Sequence, residues 1–583
     1  MGASISENAL KVLQARYLLR DRNGEVVETP DQLFRRVAKA ISQAETAWGS
    51  EADRAHWEGV FYQTLSSLRF LPNSPTLMNA GTPLNQLSAC FVLPVEDSIE
   101  SIFSTLKDTA IIQKSGGGTG FNFSRLRPKN DLVAGTGRSA SGPVSFIKVF
   151  NAATEQIRQG GKRRGANIGI LDIDHPDIEE FISCKRQPGA LSSFNLSVGI
   201  SDAFMTALEK DDDWPLRHPA TNAVVTVVKA SRLWDAIVDN AWRTGEPGLL
   251  YLDAINAGNP TPRLGTLEAT NPCGEVPLLP YEACNLGSIN LTCFVRQGPR
   301  AREIDWPDLS RTIHIAIRFL DDVIDCNRYP VEAIGNRVRG NRKIGLGIMG
   351  WADLLAMLEI PYDTDKAIKM ARRLMGFLRE ESLAASAGLA ARRGAFPNWA
   401  ESIYFPEKPL RNATRLSIAP TGTISLIAGV SSSIEPLFAL AWRRQGIAEG
   451  EELEFFSAHF REYLRHEQLQ SDALVGGVLE KGMATNLQGL PPQARRLFKT
   501  ALEISPDWHI RHQAVFQEYT DNAVSKTINL PETATTDDIS RIYRSAWQKK
   551  LKGITVFRNN CRGDQVLRHG LLCATETCKA CIT

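Results

Sequence analysis

From Cys90 onward, short apolar runs with strand character alternate with amphipathic helical patterns, and this alternation narrows the fold further than any other feature of the chain. Ile99, Ile102, Phe103 and Leu106 fall at spacings of three and four, one face of a helix, and Gly116-Gly117-Gly118 ends it. Longer helical patterns cover Leu309 to Cys326 and Lys366 to Arg392, and a last one, Asp537 to Leu551, leads into the strand-like ITVFR. Strands that alternate with helices bury their apolar faces as an α/β architecture. The first 70 or so residues differ. Thr29-Pro30-Asp31 reads as a cap with proline at the first helical position, and Leu33, Phe34, Val37 and Ile41 then form one apolar face. The chain is therefore expected to divide into a helical region (1–70), an α/β body (71–562) and a tail (563–583) that has little apolar periodicity and is expected to be mobile.

Composition excludes several classes. The 583 residues carry 67 Lys plus Arg against 65 Asp plus Glu, a net charge of +2, so the surface as a whole is not built for nucleic acid or an anionic membrane. Any anion site must be local. The most apolar stretch, Ile344 to Ile360, is interrupted by Asp353 and Glu359, which argues against a transmembrane helix. MGASISENAL has no basic region followed by an apolar one and does not read as a secretory signal; its fit to the myristoylation pattern, Gly2 with Ser6, leaves four positions free and carries little weight. Ten cysteines are too sparse and uneven for a disulfide scaffold, which points to a reducing, cytoplasmic setting in which clustered cysteines suggest chemistry.

The sharpest local feature is Asn271-Pro272-Cys273-Gly274-Glu275. In an extended loop, side chains two apart point the same way, so Asn271, Cys273 and Glu275 would present an amide, a thiol and a carboxylate to one small ligand. Pro272 stiffens the loop and Gly274 lets the backbone turn. A turn with a buried thiol would satisfy the same five residues.

The context is a resemblance. NPCGEVPLLPYEACNLGSINL (Asn271 to Leu291) resembles the finger-loop signature of the ribonucleotide reductase catalytic chain. LPNSPTLMNAG (from Leu71), KSGGGTGFNFSRLRP (from Lys114), RQGGKRRGA (from Arg158), LDIDHPDIEEFI (from Leu171), APTGTISLIAG (from Ala419) and TDNAVSKTINLP (from Thr520) resemble the cobalamin-dependent branch of that family, in order. The resemblance implies a ten-stranded α/β barrel of two antiparallel halves with the finger loop threaded through its centre. It implies that Cys273 is the thiyl radical that removes the 3′ hydrogen of a ribonucleotide, that Glu275 takes the 3′ hydroxyl proton, and that Asn271 holds the sugar hydroxyls. By motif position, Cys90 and Cys284 would supply the reducing electrons and close to a disulfide, with Cys293, in the strand-like INLTCFV, as the rival for Cys284. Cys184 and Cys326, near the ends of helical patterns, read as core thiols, and so does Cys293.

Cys578-Lys579-Ala580-Cys581 has a spacing suited to dithiol exchange. In the family such a tail reduces the active-site disulfide, and thioredoxin or a similar protein would be its reductant; a zinc site from Cys561, Cys573, Cys578 and Cys581 is the alternative. Pro420, Thr421, Gly422 and Thr423, followed by Ser425, combine small hydroxyls with backbone N–H groups, a seat for a diphosphate. The resemblance assigns them to the substrate phosphates and places Ser74 and Thr76 near the substrate. Asp97, Ser98, Ile99 and Lys114 resemble the site of a deoxynucleoside triphosphate effector, and Arg127 would add a phosphate contact. The loop Arg158 to Arg164, with Arg158, Gln159, Lys162 and Arg163, would carry effector identity to the active site; a solvated basic turn is the plainer reading of Lys162-Arg163-Arg164. Gly345-Leu-Gly347-Ile-Met-Gly350 satisfies GxGxxG, but the preceding GNRVRGNRK is no buried strand, so a dinucleotide fold is not expected.

Branches of the family differ in how the cysteine radical arises. Lys552 to Arg558, KGITVFR, has no tyrosine where the metal-dependent branch carries a relay pair, and the tail does not resemble a glycyl radical motif. The implied cofactor is adenosylcobalamin, and without a DxHxxG no histidine is expected to replace its base on cobalt. A homodimer that reduces diphosphates is the expectation by resemblance. The alternatives are a metal-dependent chain that needs a separate radical subunit, and a nucleotide-sensing homologue without catalysis, against which the joint presence of Cys90, Cys273, Cys284, Asn271 and Glu275 argues.

Overall fold

The computed structural model describes residues 5–132, 139–159, 163–299, 301–445, 452–485, 487–561 and 567–571, with the side chains of 158–164 and 567–569 outside the description. Three helices open the chain: α1 (Glu7–Arg16), α2 (Pro30–Ile41) and α3 (Glu51–Ser66). The Thr29 hydroxyl caps α2, and Gln32 reciprocates to the Thr29 N–H. Leu33, Phe34, Val37 and Ile41 are buried, so the expected apolar face is the packed one.

A sheet of ten named strands follows: β1 (Phe70–Pro72), β2 (Cys90–Val92), β3 (Gly118–Asn122), β4 (Asn167–Asp172), β5 (Phe194–Ile200), β6 (Gly248–Tyr251), β7 (Ala283–Asn290), β8 (Ile344–Met349), β9 (Thr527–Leu530) and β10 (Gly553–Arg558). Strands β2 to β6 lie parallel in sequence order. A second parallel run goes from β7 to β8, on through single bridges at Leu346–Leu416 and Ile418–Val524, and then from β9 to β10. The two runs meet antiparallel at β2–β7 and β6–β10, which closes the sheet into a barrel of two antiparallel halves. Parallel staves need crossovers, and helices supply them, among them α4 (Ile99–Lys114), α5 (Pro143–Gln156), α6 (Trp306–Cys326) and α7 (Asp365–Arg393). Most buried apolar side chains, from α1 to β10, form one continuous core.

Glycines set where staves come close. A Cβ on Gly347 would lie 2.4 Å from the Ser417 carbonyl oxygen, so the GxGxxG string marks tight packing of β8 against residues 416–418. As expected, the flank before the string is no strand, since Glu332–Asn341 is a helix; Gly345 and Gly347 lie within the buried strand Ile344–Met349, and Gly350 follows it.

One unit was not legible in the sequence. Residues between Leu437 and Phe498 carry their own core, which includes Leu440, Phe460, Leu464, Leu474, Val478 and Phe498. Its ribbon, Ala441–Gln445 against Glu452–Phe456, takes Leu567–His569 as a third strand. The expectation of a mobile tail from Gly563 is corrected to that extent: Leu567–His569 is held by strand pairing, and Leu571 N–H bonds Leu479 O at 2.6 Å. Cys573, Cys578 and Cys581 lie outside the described residues. Among the described residues no helix is long and apolar enough to cross a membrane, and no group of three or more His, Cys, Asp or Glu side chains could hold a metal ion.

Gly120 on β3 gives the sharpest packing test, because a Cβ there would sit 1.7 Å from the Thr270 carbonyl oxygen. Gly120→Ala is expected to lower stability by about 1–3 kcal/mol, the usual cost of overpacking. Gly388→Ala, with nothing within 4 Å of the added carbon in the exposed part of α7, should be neutral or stabilising. Thermal unfolding of the two variants checks this; equal transition temperatures would contradict the packing.

Candidate active site

Ala269–Thr270 pairs antiparallel with Pro277–Leu278, and residues 271–276 form the tip of this finger. The tip is anchored from both halves of the barrel. Asn195 on β5 donates its amide to Pro272 O at 2.9 Å, while Ser417 Oγ and the Ala523 N–H both donate to Glu275 O at 2.9 Å. Within the tip, Gly274 N–H reaches Asn271 O at 2.9 Å and Val276 N–H reaches the Asn271 side-chain oxygen at 3.0 Å. Gly274 has a φ of +81°, which favours glycine. The tip is thus a turn and not the extended segment expected: Asn271 and Glu275 are buried while Cys273 is exposed. The turn, not strand alternation, brings the three groups to one place.

Cys90 and Cys284 are direct register partners across β2 and β7, both buried and both free thiols. Opposed residues on antiparallel strands have Cβ atoms about 4.5–5.5 Å apart, close to the span a disulfide requires. Burial pushes the Cys90 thiol well above its ordinary range, helped by the negative charge of Glu275 and by Cys284 and Cys273, against a hydrogen bond from Asn271. These mutual influences place Asn271, Cys273, Glu275, Cys90 and Cys284 in one cluster. Burial also pushes Cys284 up, with Lys343 opposing. Glu275 is pushed up to about 7 by burial, opposed by Asn271, and its Oε2 has no hydrogen-bond partner among the described residues.

Cys293 lies elsewhere. The strand expected around it is a short 3-10 turn, Leu291–Phe294, with the sulfur 3.8 Å from Leu68 O and its thiol pushed up to about 11 by burial. Cys184 caps the helix Ile178–Ser183 and Cys326 ends α6 with its sulfur on Ala40 O; burial pushes both up to about 12.

Cys273 opens into a cavity of about 1570 Å³ that Pro420 and Ser425 also line. Thr421 is left-handed at φ 51° and accepts the Ser433 N–H on its Oγ1; Gly422 O accepts from Arg444 at 2.7 Å; Thr423 precedes the short helix Ile424–Ala428; Ser425 Oγ lies 3.1 Å from Ser432 Oγ. Ser74 Oγ is 2.7 Å from the Tyr17 hydroxyl. Thr76 does not face the cavity: it is fully buried, with its hydroxyl donated to Leu87 O at 2.9 Å.

The residues read as an effector site fall into two groups. Asp97 accepts both the backbone N–H and Nε of Arg127, beside Ser98, which caps α4, and the exposed Ile99. Lys114 ends the 16-residue α4, roughly 24 Å away at 1.5 Å per residue. There α4 meets Arg158–Gln159, which pairs with Arg163–Arg164; Lys162 lies outside the described residues.

Three cavity residues escaped the sequence reading. Trp442 and Arg444 come from the ribbon of the added unit, where alternation in AWRRQ puts them on one face. Lys526, inside the quoted motif TDNAVSKTINLP, is buried, pairs with Glu435 and touches His509 Nδ1 at 3.0 Å.

Residues 3–85 match the family model for the ribonucleotide reductase all-alpha domain, and residues 88–408 and 405–557 match that for the ribonucleotide reductase barrel domain. The chain is 48% identical to the vitamin B12-dependent ribonucleoside-diphosphate reductase of Thermoplasma acidophilum, covering 97% of this chain and 80% of that one. It is 47% identical to the protein of the same name from Mycobacterium tuberculosis, covering 97% and 79%. The solved class Id ribonucleotide reductase alpha subunit of Actinobacillus ureae superposes with a TM-score of 0.79 at 25% identity, covering 95% and 97%.

The burial pattern predicts an order of thiol reactivity. Iodoacetamide at pH 8 should alkylate Cys273 before Cys90 and Cys284, which should react only on unfolding. Peptide mass spectrometry reads this directly, and early labelling of Cys90 or Cys284 would contradict the cluster as built.

Proposed function

The chain belongs to the ribonucleotide reductase family, and we propose that it reduces ribonucleoside diphosphates to 2′-deoxyribonucleotides, with adenosylcobalamin as the source of its radical. The observation that carries the reading is the cluster at the finger tip: an exposed thiol, a buried carboxylate poised near neutrality and a facing pair of buried thiols. The names of the relatives support the cobalamin and the diphosphate.

The cavity suits a group larger than a nucleotide. Its volume of about 1570 Å³ exceeds the roughly 300–1,000 Å³ of ordinary small-molecule pockets. Trp442 stacks on Phe455 with centroids 5.3 Å apart, and these two rings, with Leu437 and Leu453, give the apolar wall on which a corrin would rest. Thr555, Val556 and Phe557 of β10 line the cavity where a tyrosine relay would otherwise stand. When bound, adenosylcobalamin supplies by Co–C homolysis the radical that takes the Cys273 hydrogen.

The rest of the chemistry belongs to the chain. Cys273, as a thiyl, removes the 3′ hydrogen of the ribose. Glu275 accepts the 3′ hydroxyl proton, and Asn271 holds the hydroxyls in place, since a base acts only on a sugar already positioned. Loss of the 2′ oxygen as water consumes two electrons and two protons. Cys90 and Cys284 supply both and end as a disulfide; burial, by keeping both thiols protonated, serves this donation. The phosphates would lie along residues 420–425.

Around this centre, an effector deoxynucleoside triphosphate would bind near Asp97 and Arg127, with Lys114 and the 158–164 loop as the second group. Ile99, Phe103 and Ile111 of α4 and Val149 of α5 are exposed apolar residues, a face suited to a second copy of the chain. Cys578 and Cys581 would pass electrons from thioredoxin to the buried pair, in a cytoplasmic setting.

Turnover of cytidine diphosphate by the purified chain with adenosylcobalamin and dithiothreitol, and no second protein, tests the function; no deoxynucleotide, or dependence on a second subunit, would refute it. The base role sets a pH profile. A carboxylate raised to about 7 works only once deprotonated, so kcat/KM should climb through about pH 7 rather than near 4.5. Glu275→Gln should cost roughly 10²- to 10⁴-fold and lose that limb; an unchanged profile would contradict the role. Cys578→Ser/Cys581→Ser should abolish turnover with thioredoxin and spare it with dithiothreitol, and full activity with thioredoxin would sink the shuttle.

A further inference from the structure

The segment 420–425 offers small hydroxyls and backbone N–H groups to a diphosphate but no cation of its own. The cavity beside it has several. Lys526 is paired with Glu435, Lys11 with Glu7, and the Arg461 guanidinium lies 5.1 Å from the Phe456 ring centroid. Arg444 touches the segment itself, through its bond to Gly422 O.

We propose that Arg444 is a substrate-phosphate ligand, delivered to the phosphate segment by the ribbon of the added unit. The inference rests on the reductase reading, which it deepens by naming the cation of the phosphate seat. Strand alternation explains why this arginine and not its neighbour does so. Arg443 turns to the other face and lies 3.4 Å from Glu454 and 3.7 Å from Glu452 on the facing strand. Arg444 points with Trp442 into the cavity. The bond to Gly422 O holds the guanidinium against the loop, so a phosphate seated on 420–425 meets a permanently charged partner. Charge-assisted bonds of that kind are among the stronger ones in recognition. Because Arg444 comes from a unit with its own core, substrate affinity then depends on how that unit sits on the barrel.

The test compares ligands that differ only in phosphate, with the full-length chain and no cofactor added. By calorimetry, Arg444→Gln should weaken cytidine diphosphate about 10- to 100-fold, leave cytidine unchanged and leave hydroxocobalamin unchanged. Arg444→Lys, which keeps the charge without the fork, should recover part of the loss and guards against misfolding of the first variant. Equal weakening of cytidine and cytidine diphosphate would overturn the proposal, since the residue would then merely shape the loop. Weakening of hydroxocobalamin alone would overturn it in favour of the phosphodiester of the cofactor. If the wild-type chain itself does not prefer cytidine diphosphate to cytidine, the phosphate seat fails, and with it the reading on which the inference stands.

Discussion

Everything at the site depends on a finger tip whose backbone carbonyls are held from two sides. Glu275 O receives Ser417 Oγ and the Ala523 N–H from one half of the barrel, while Pro272 O, three residues earlier, receives Asn195 from the other. A polar turn buried inside a barrel would strand its backbone groups without such partners. The staves make room by omission: Gly118 and Gly120 on β3 have no side chains where Pro272 and Thr270 pass. A loop held in this way does not wander, and a reactive thiol at its tip needs that.

Burial then gives related effects of different use. It keeps Cys90 and Cys284 protonated, which would suit the hydrogen donation proposed for them, and it raises Glu275 to about 7, which would suit the proposed proton transfer at neutral pH. Cys273, at the exposed tip, faces the cavity instead. The register of β2 and β7 does the remaining work, because Cys90 and Cys284 face each other through strand pairing, without any loop to position.

Much of this was legible in the residues. Helix periodicity located α2, α4, α6 and α7 to within a few residues, and the glycine strings marked close approaches, although their partners lay far away in sequence. The three-residue logic of the finger expected an extended segment where the structure has a turn, because a turn and an extended strand can bring the same residues together. Thr76 looked like a substrate contact until its hydroxyl found Leu87 O, a bond between residues 11 apart that no local pattern announces. The unit after Leu437 was hidden for a related reason: its core is assembled from short segments and closed by Leu571, from far down the chain. Trp442 and Arg444 escaped the sequence reading, because only the fold shows that AWRRQ is a strand with one face on a cavity.

The account turns on Cys273 drawing on the Cys90–Cys284 pair, and a single turnover measures that without interference from the tail. A fully reduced Cys578→Ser/Cys581→Ser chain, given excess cytidine diphosphate and adenosylcobalamin but no reductant, should form about one deoxynucleotide per chain. Peptide mapping should then find a matching amount of Cys90–Cys284 disulfide. Product without that disulfide, or a disulfide that includes Cys293, would contradict the mechanism at its centre.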